Sequence, residues 1–550
     1  MVKDIFKKGL QALTLKQSNI FTAAFFIVAT TIFGQILGIL KYRLLVAIFG
    51  ASSDLGVFLA SFRVPDFLFQ IFITGALSTS FIPLFSEFVS QNKRAEANKF
   101  SSAILTYGVG IFFLMSVVVI IFSHPIARMI APKFSDAEIT LMANLMIIIQ
   151  LSQVFFVVGT VFSGILQSFQ HFLVPGIASA LYNLGIIIGI VVLSGVFGMG
   201  IYGATLGVVI GAFFFFAAQL PFLRGTGFHF NINFHRDDAV RKIAKLMIPR
   251  SLTLLVSQIA ITANVFFALF ISARNLVIFD LAQTLMLAPV ILFGQSIAQA
   301  SFPSLSLKAK EPQEFVSIFV SSLNQIMYLT LPVSALLIVL RIPIVRLFFG
   351  ASRFDWDATV STGLTLAFLG ISIAAQSAIY LFARAFFALK DSQTPFFITL
   401  FSVIINIALS YYLIMYLMLP VYYLGVSFTI GSLISFILLL ITLNAKIMLP
   451  KLEIVIATMK ILIATFVMGV ALYIPIKLLD QLVFDTTRTV NLLMLTGIAS
   501  VTGILAYIFF TWLLDIKEAY YIIAVAKRFK HRDKIIKQIG ELLDGSKLNP

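Results

Sequence analysis

The sequence predicts an all-α, polytopic membrane protein with about fourteen transmembrane helices. Two parallel six-helix repeats account for twelve of them, and two extra helices follow at the C-terminal end. Three observations carry this prediction. Of 550 residues 60% are hydrophobic and 11% charged, with mean hydropathy +1.03, whereas a soluble globular protein carries about 25% charged residues. Apolar runs of about 18 residues or more recur along the whole chain, long enough to cross a bilayer as helices. They lack the period-two alternation of a membrane barrel. Finally, landmark residues repeat at a nearly constant offset of 218 to 222.

Residues 1–19, MVKDIFKKGLQALTLKQSN, form a basic cytoplasmic lead-in. The apolar run that follows is far longer than a signal-peptide core and has no small-residue cleavage site, so no cleavable signal is expected. Apolar runs and their breakers place spans at 20–49, 54–89, 100–124, 138–168, 174–195, 200–222, 242–272, 275–306, 313–340, 357–388, 395–417, 420–444, 454–478 and 489–514. These group into an N-terminal six-helix lobe (20–223), a cytoplasmic linker (224–241), a C-terminal six-helix lobe (242–447), two additional transmembrane helices (448–514) and a basic amphipathic tail (515–550).

Charge placement tests the topology. With the N-terminus inside, 26 of the 39 Lys and Arg residues fall in inner segments and eight in outer loops, and five lie within spans. Short inner loops attract such an excess of basic residues. Both termini are therefore expected in the cytoplasm, and the net charge of +16 reflects topology rather than binding to nucleic acid.

The repeat is visible in HPIARMIAP (124–132) against IPIVRLFFG (342–350), which sets Pro125 over Pro343 and Arg128 over Arg346. SFIPLFSEF (80–88) likewise matches SFPSLSLKA (301–309), and Pro175 pairs with Pro395. Six spans per unit is an even number, so both units insert in the same direction. Parallel repeats of this kind recur in transporters, with the substrate site near the midplane. In the linker, FHFNINF alternates and suits a short extended segment, and Asp237 and Asp238 suit the first turn of the next helix. The tail from 515 to 543 suits an amphipathic helix on the inner leaflet, serving as a topological anchor or a lipid-binding element.

No enzyme constellation emerges. The five histidines are scattered without metal-ligand spacing. There is no Walker A motif and no cysteine, and no pair of intramembrane carboxylates stands out as a proton relay. Asp66 is the clearest acidic residue within a span, and Glu87, near an inner helix end, is expected to pair with Lys93 or Arg94. What remains is a cation-bearing pair of first helices. Lys41 and Arg43 lie in span 1; Arg63 and Asp66 lie in span 2 beside Pro65, which removes a helix hydrogen bond. Gly34, Gly38 and Gly75 permit bending or close packing. An anionic substrate needs such cations, since buried Arg or Lys meets phosphate oxygens at full charge. The competing readings are snorkelling of Lys41 and Arg43 to the headgroups and an i,i+3 ion pair between Arg63 and Asp66.

Longer stretches carry a family resemblance. ILGILKYRLLVAIFGAS (36–52) and FRVPDFLFQIFITGALSTSFIPLFSEF (62–88) resemble the opening signature of the MurJ/MviN lipid II flippases of the MOP transporter superfamily. SGILQSFQHFLVPGIASALYN (163–183), FPSLS (302–306) and RAFFALKDSQTPFFITLFSVIIN (384–406) resemble its later motifs. The resemblance covers roughly residues 20 to 445 and implies a MATE-like fold in the bacterial cytoplasmic membrane. It implies a flippase moving lipid-linked peptidoglycan precursor from the inner to the outer leaflet by alternating access, with the pyrophosphate in a cationic central cavity. The chain departs from the family pattern where arginine is usual at Gln35 and Thr284, a basic residue at Phe69 and an acidic one at Leu287; Asp66 replaces an asparagine. Carried over residue by residue, the family's cationic site keeps its charge only at Lys41; Arg43, which falls on no such position, and Arg63 are further candidate cations, and Gln35 and Asp66 polar lining.

The expected function is thus transport without covalent chemistry. No cofactor is expected, and membrane potential and a coupling ion stay open as the driving force. Expected partners are a lipid II-like oligosaccharide pyrophosphate, membrane lipids and cell-wall synthesis proteins. The alternatives are a flippase for another polyprenyl-linked oligosaccharide and a non-transporting scaffold in cell-wall synthesis. An integral-membrane glycosyltransferase is disfavoured by the lack of acidic catalytic residues facing a large loop.

Overall fold

The computed structural model describes residues 20–71, 81–91, 93–231, 238–482 and 489–520. The lead-in, Gly75 and the tail beyond Tyr520 lie outside the described residues, as do Asp237 and the end of the FHFNINF segment.

Among the described residues all regular structure is helical. Short turns aside, the helices are α1 Ile20–Phe49, α2 Ser53–Ser61, α3 Arg63–Phe69, α4 Ile82–Ser90, α5 Arg94–Ile121, α6 Ser123–Ile130, α7 Asp136–Ser168, α8 Leu173–Ile188, α9 Gly200–Ala217 and α10 Asp238–Ile271. The chain continues through α11 Ala273–Pro289, α12 Ser296–Leu307, α13 Pro312–Val339, α14 Arg341–Phe349, α15 Trp356–Ile371, α16 Ile373–Ala388, α17 Gln393–Ser410, α18 Tyr422–Ile447, α19 Lys451–Leu482 and α20 Thr489–Leu513. Eleven helical stretches among the described residues are long and apolar enough to cross a membrane, and α15 with α16, bent by 43°, make a twelfth. The two other expected spans are α2–α4, interrupted by residues outside the description, and α10, whose described apolar part is Leu255–Ile271.

Helix boundaries follow local chemistry. Ser135 and Glu138 close a capping box at the start of α7, the Ser135 hydroxyl accepting from the Glu138 N–H at 3.3 Å while Glu138 Oε2 accepts from the Ser135 N–H at 2.9 Å. Span 2 breaks at Phe62, between α2 and α3, because Pro65 has no N–H to continue the ladder. α1, by contrast, runs unbroken through Gly34 and Gly38, and a Cβ at either would meet open space. Close packing therefore does not hold these two as glycine, contrary to one sequence expectation. Glu87 accepts from Gln91 at 3.3 Å, and Lys93 lies 3.9 Å from Glu96. The expected Glu87 pairing is thus replaced by local partners within a turn of each group.

The internal repeat reappears in the element boundaries. α5, α6, α7, α8 and α9 start 218 to 222 residues before α13, α14, α15, α17 and α18. Both α8 and α17 end in π-helical turns, Gly189–Val196 and Tyr411–Tyr416. Gln170 and Lys390, 220 apart, both take left-handed backbone at the turn preceding these helices.

Packing divides the chain into two units. The first runs to Leu281 and adds Phe348–Thr359 and Ser410–Leu424. Here α7 is the central helix, contacted by α2, α4, α5, α6 and α9, while α1 lies against α8. After the first repeat the chain leaves the helices at Gly227, whose carbonyl accepts from Asn98 at 3.0 Å. The Asn231 N–H donates to Ser102 at 3.2 Å, so this non-helical stretch follows α5. The second unit takes Ala282–Leu347, Val360–Leu409 and the described residues from Gly425 on. Its α13 packs on α12, α16 and α19, and α19 pairs with α20. Tyr507 donates to the Tyr328 carbonyl at 2.7 Å, and Lys460 donates to the Leu514 carbonyl at 2.8 Å, fastening α20. At the start of α17, Asp391 accepts from the Thr394 N–H and hydroxyl and from Lys446. Desolvation alone would raise its carboxyl; these donors outweigh it and hold it at about 2.

Side chains such as Leu114, Ile121, Phe397, Ile404, Leu452 and Phe466 are exposed along the spans. In water such apolar faces would be a liability; on helices of this length they are the surface a lipid bilayer covers.

Candidate functional site: a charge cluster on the first, second and eighth spans

The cluster starts from a close approach of two helices in the first unit. A Cβ on Gly56 would lie 2.1 Å from the Ala273 carbonyl oxygen, so only glycine fits where α2 meets the start of α11. Seven residues on from each contact point, two helical turns along, stand Arg63 and Asp280. Their side chains meet: an Arg63 terminal nitrogen donates to Asp280 Oδ1 at 3.2 Å. The other carboxylate oxygen, Oδ2, accepts from the Tyr42 hydroxyl at 2.9 Å. Asp280 is 8% exposed. A buried carboxylate in a membrane span is costly unless paired, and here it is paired with a guanidinium and a phenol.

Lys41 precedes Tyr42 on α1 and lies over its ring, 4.7 Å from the centroid. Among the described residues its ammonium makes no hydrogen bond or ion pair, while the charges of Asp280 and Asp66 act on it. Asp66, one turn beyond Arg63 on α3, accepts from Gln153 of α7 at 3.3 Å. Its charge also reaches Tyr182 of α8. Arg63 retains unused capacity, because its Nε is buried without a partner among the described residues.

The sequence candidates therefore separate. Lys41, Arg63 and Asp66 come together. Arg43, two residues and roughly 200° of helical rotation beyond Lys41, is half-buried on a different side of α1. Gln35 is exposed and joins none of these hydrogen bonds. Pro65 is buried at the helix break, and Gly34 donates no packing constraint, although its carbonyl accepts from Asn183 at 3.3 Å. One reading needs correction. Arg63 does not form the i,i+3 pair with Asp66; it reaches across to α11, while Asp66 turns to α7. Asp280 was missed although LVIFDLAQTLM (276–286) displays an acid in an apolar run as plainly as span 2 displays Asp66.

Around the cluster the helix ends are tied within the same unit. Gly50 has φ +68°, and a Cβ there would lie 2.4 Å from the Arg353 carbonyl oxygen, so the turn after α1 is closed by the 350–355 loop. Arg353 donates to the Ile48 carbonyl, and Arg274 donates to Asp355 at 2.7 Å and to Asp357 at 3.0 Å. The Arg274 hydrogen bond, acting against partial desolvation, holds the Asp355 carboxyl below the usual carboxylate range.

Comparison with known proteins decides the family. The model of the lipid II flippase MurJ family matches residues 45–494. The chain belongs to the MurJ family. A probable lipid II flippase MurJ of Buchnera aphidicola subsp. Acyrthosiphon pisum (strain APS) is 26% identical over 456 residues, covering 82% of this chain and 89% of that protein. One of Borreliella burgdorferi is 24% identical over 485 residues, 86% and 93% of the two chains. Among solved structures, a lipid II flippase MurJ in an inward closed conformation superposes with TM-score 0.74 at 23% identity, over 88% of this chain and 98% of that one. A MATE multidrug transporter of the MOP superfamily superposes with TM-score 0.65 at 14% identity, over 75% and 94%. These two show the shared fold. The MurJ family is a family of flippases rather than catalytic enzymes, and this member is a multi-pass membrane protein.

Proposed function

We propose that this chain carries a lipid-linked pyrophosphate, of the lipid II type, from the inner to the outer leaflet of the bacterial cytoplasmic membrane. Both termini lie in the cytoplasm on this reading. The two repeats, 20–223 and 242–447, are the lobes that rock to expose the site to each side in turn. Transport of this kind needs a site whose affinity changes as access alternates, and no covalent step.

The observation that carries the proposal is the Lys41 ammonium: a cation in a membrane span, over the Tyr42 ring and acted on by Asp280 and Asp66, with no hydrogen-bond acceptor of its own among the described residues. An ionisable side chain within a membrane span marks a functional site by default. The free Arg63 Nε adds a second unused donor. Together they offer a pyrophosphate one point charge and one fork edge. Gln35 lines the approach and Arg43 meets the headgroup region.

A second reading, transport of another polyprenyl-linked oligosaccharide, is favoured by the two carboxylates that offset the cations. Complementation of a strain depleted of its own lipid II flippase tests the proposal. The chain is expected to restore growth together with lipid II exposure at the outer face, and Lys41→Ala to restore neither. Growth without added exposure contradicts the transport reading and favours a scaffold acting through cell-wall synthesis proteins. No growth from a folded, membrane-inserted chain favours the other glycan.

A further inference from the structure

We propose that Asp280 is an internal counter-anion: its carboxylate occupies the place on Arg63 and Tyr42 that the phosphate of the substrate takes during transport. The inference rests on the reading above, in which Lys41 and Arg63 receive a pyrophosphate, and it adds how that site is kept closed to ions and emptied of substrate.

Asp280 presents its two oxygens to two different donors, Oδ1 to Arg63 at 3.2 Å and Oδ2 to Tyr42 at 2.9 Å. Two oxygens of a phosphate can meet the same pair. The contact with Arg63 is through one nitrogen only and leaves Nε buried and unpartnered, whereas the strong arrangement of these groups is a two-bond fork. Arg63 is therefore held, but by less than it can accept. Lys41 shares the two carboxylates with it, the charges of Asp280 and Asp66 acting on it with no direct bond to either. Formally the four named charges, Lys41 and Arg63 against Asp66 and Asp280, sum to zero. Charges so balanced exert little pull on small anions from either side of the membrane. A ligand gains here by displacing the Asp280 carboxylate and taking both Arg63 edges with Lys41, and a pyrophosphate has the oxygens to do so. When the carboxylate returns, it competes the ligand off. The exchange moves no proton and breaks no covalent bond.

The position of Asp280 supports exchange rather than a fixed strut. It lies on α11, while Lys41, Tyr42 and Arg63 lie on α1 and α3. A small shift of α11 against α2, at the glycine contact two turns away, changes the Asp280–Arg63 distance directly.

The test is binding of undecaprenyl pyrophosphate, without sugar, to the full chain in nanodiscs, followed by flipping of the same lipid in proteoliposomes. Asp280→Asn removes one negative charge beside an anionic ligand and is expected to bind about tenfold tighter or more, with slower flipping because release is impaired. Asp280→Glu keeps the negative charge and should gain less affinity than Asp280→Asn, and Asp66→Asn should likewise gain less because it leaves Arg63 and Tyr42 occupied. If Lys41→Gln binds the lipid as well as the parent, the pyrophosphate reading itself fails. If Lys41→Gln loses binding while Asp280→Asn binds no tighter than the parent, only the counter-anion inference is overturned. Should Asp280→Asn not fold, difference infrared of the parent reads the exchange directly. Ligand addition is expected to shift a carboxylate stretch whose frequency moves in Asp280→Glu; a carboxylate spectrum indifferent to the ligand overturns the inference.

Discussion

Lys41 and Arg63 are both cations in apolar surroundings, yet they should answer substitution differently. The Arg63 side chain is 18% exposed and that of its partner Asp280 11%. Removing one partner of such a pair strands the other, at a cost of about 3–5 kcal/mol. Asp280→Ala is therefore expected to lower the thermal midpoint in detergent strongly, and Asp280→Asn, which keeps an acceptor for Tyr42, to lower it less. Lys41 has no direct bond to lose. Lys41→Met gives up the contact with the Tyr42 ring and is expected to cost about 1–2 kcal/mol, less than Asp280→Ala, while transport is lost. Equal loss of stability and transport in Lys41→Met would make the lysine structural. Lys41, Arg63 and Asp66 were legible in the sequence because a charge inside an apolar run is visible one residue at a time. Their partners were not, because Arg63 and Asp280 are 217 residues apart and their meeting depends on the register of α2 against α11. The local i,i+3 pairing was the natural reading only while that register was unknown.

At the scale of elements, two contacts hold the cluster in place without touching any ligand. The first is Gly56 against the Ala273 carbonyl. Gly56→Val leaves every charge present and pushes α2 from α11, so it is expected to abolish lipid binding as fully as Lys41→Gln. Retained binding would mean that helix register does not set the site. The second is the tie from Arg274 to Asp355 and Asp357. The protein has no cysteine, so a single cysteine at buried Phe354 is a clean probe of this loop. Labelling by a water-soluble maleimide is expected to be several-fold faster in Arg274→Ala than in the parent background. Because Asp355 is depressed below its ordinary value, the tie contributes fully above the unfolded carboxylate pKa of about 3.9. It is lost as pH falls below that value, so labelling, divided by that of a fully exposed cysteine at the same pH to remove the thiolate dependence, should be flat from pH 5 to 8 and rise in acid. Span positions were legible to within a few residues from hydropathy, and the break at Phe62 from Pro65. The π-helical turns at Gly189–Val196, Val290–Gln295 and Tyr411–Tyr416 had no such signal, since they arise from hydrogen-bond register rather than from residue type.

For the whole molecule, the repeat and the charge bias carried most of what could be foreseen. Element starts recur at the same 218–222 offset as the sequence landmarks, because Pro and Gly punctuate helices wherever they occur. The arrangement predicts both termini on the cytoplasmic side, which reporter fusions at Met1 and Pro550 would check. What hydropathy could not supply is the balance of the site, where two carboxylates offset two cations and a single lysine is left without a bond. Flipping of fluorescent lipid II in proteoliposomes, parent against Lys41→Gln, tests that account most directly. The account predicts protein-dependent flipping in the parent and none in Lys41→Gln at equal incorporation. Equal flipping by the two proteins would contradict it.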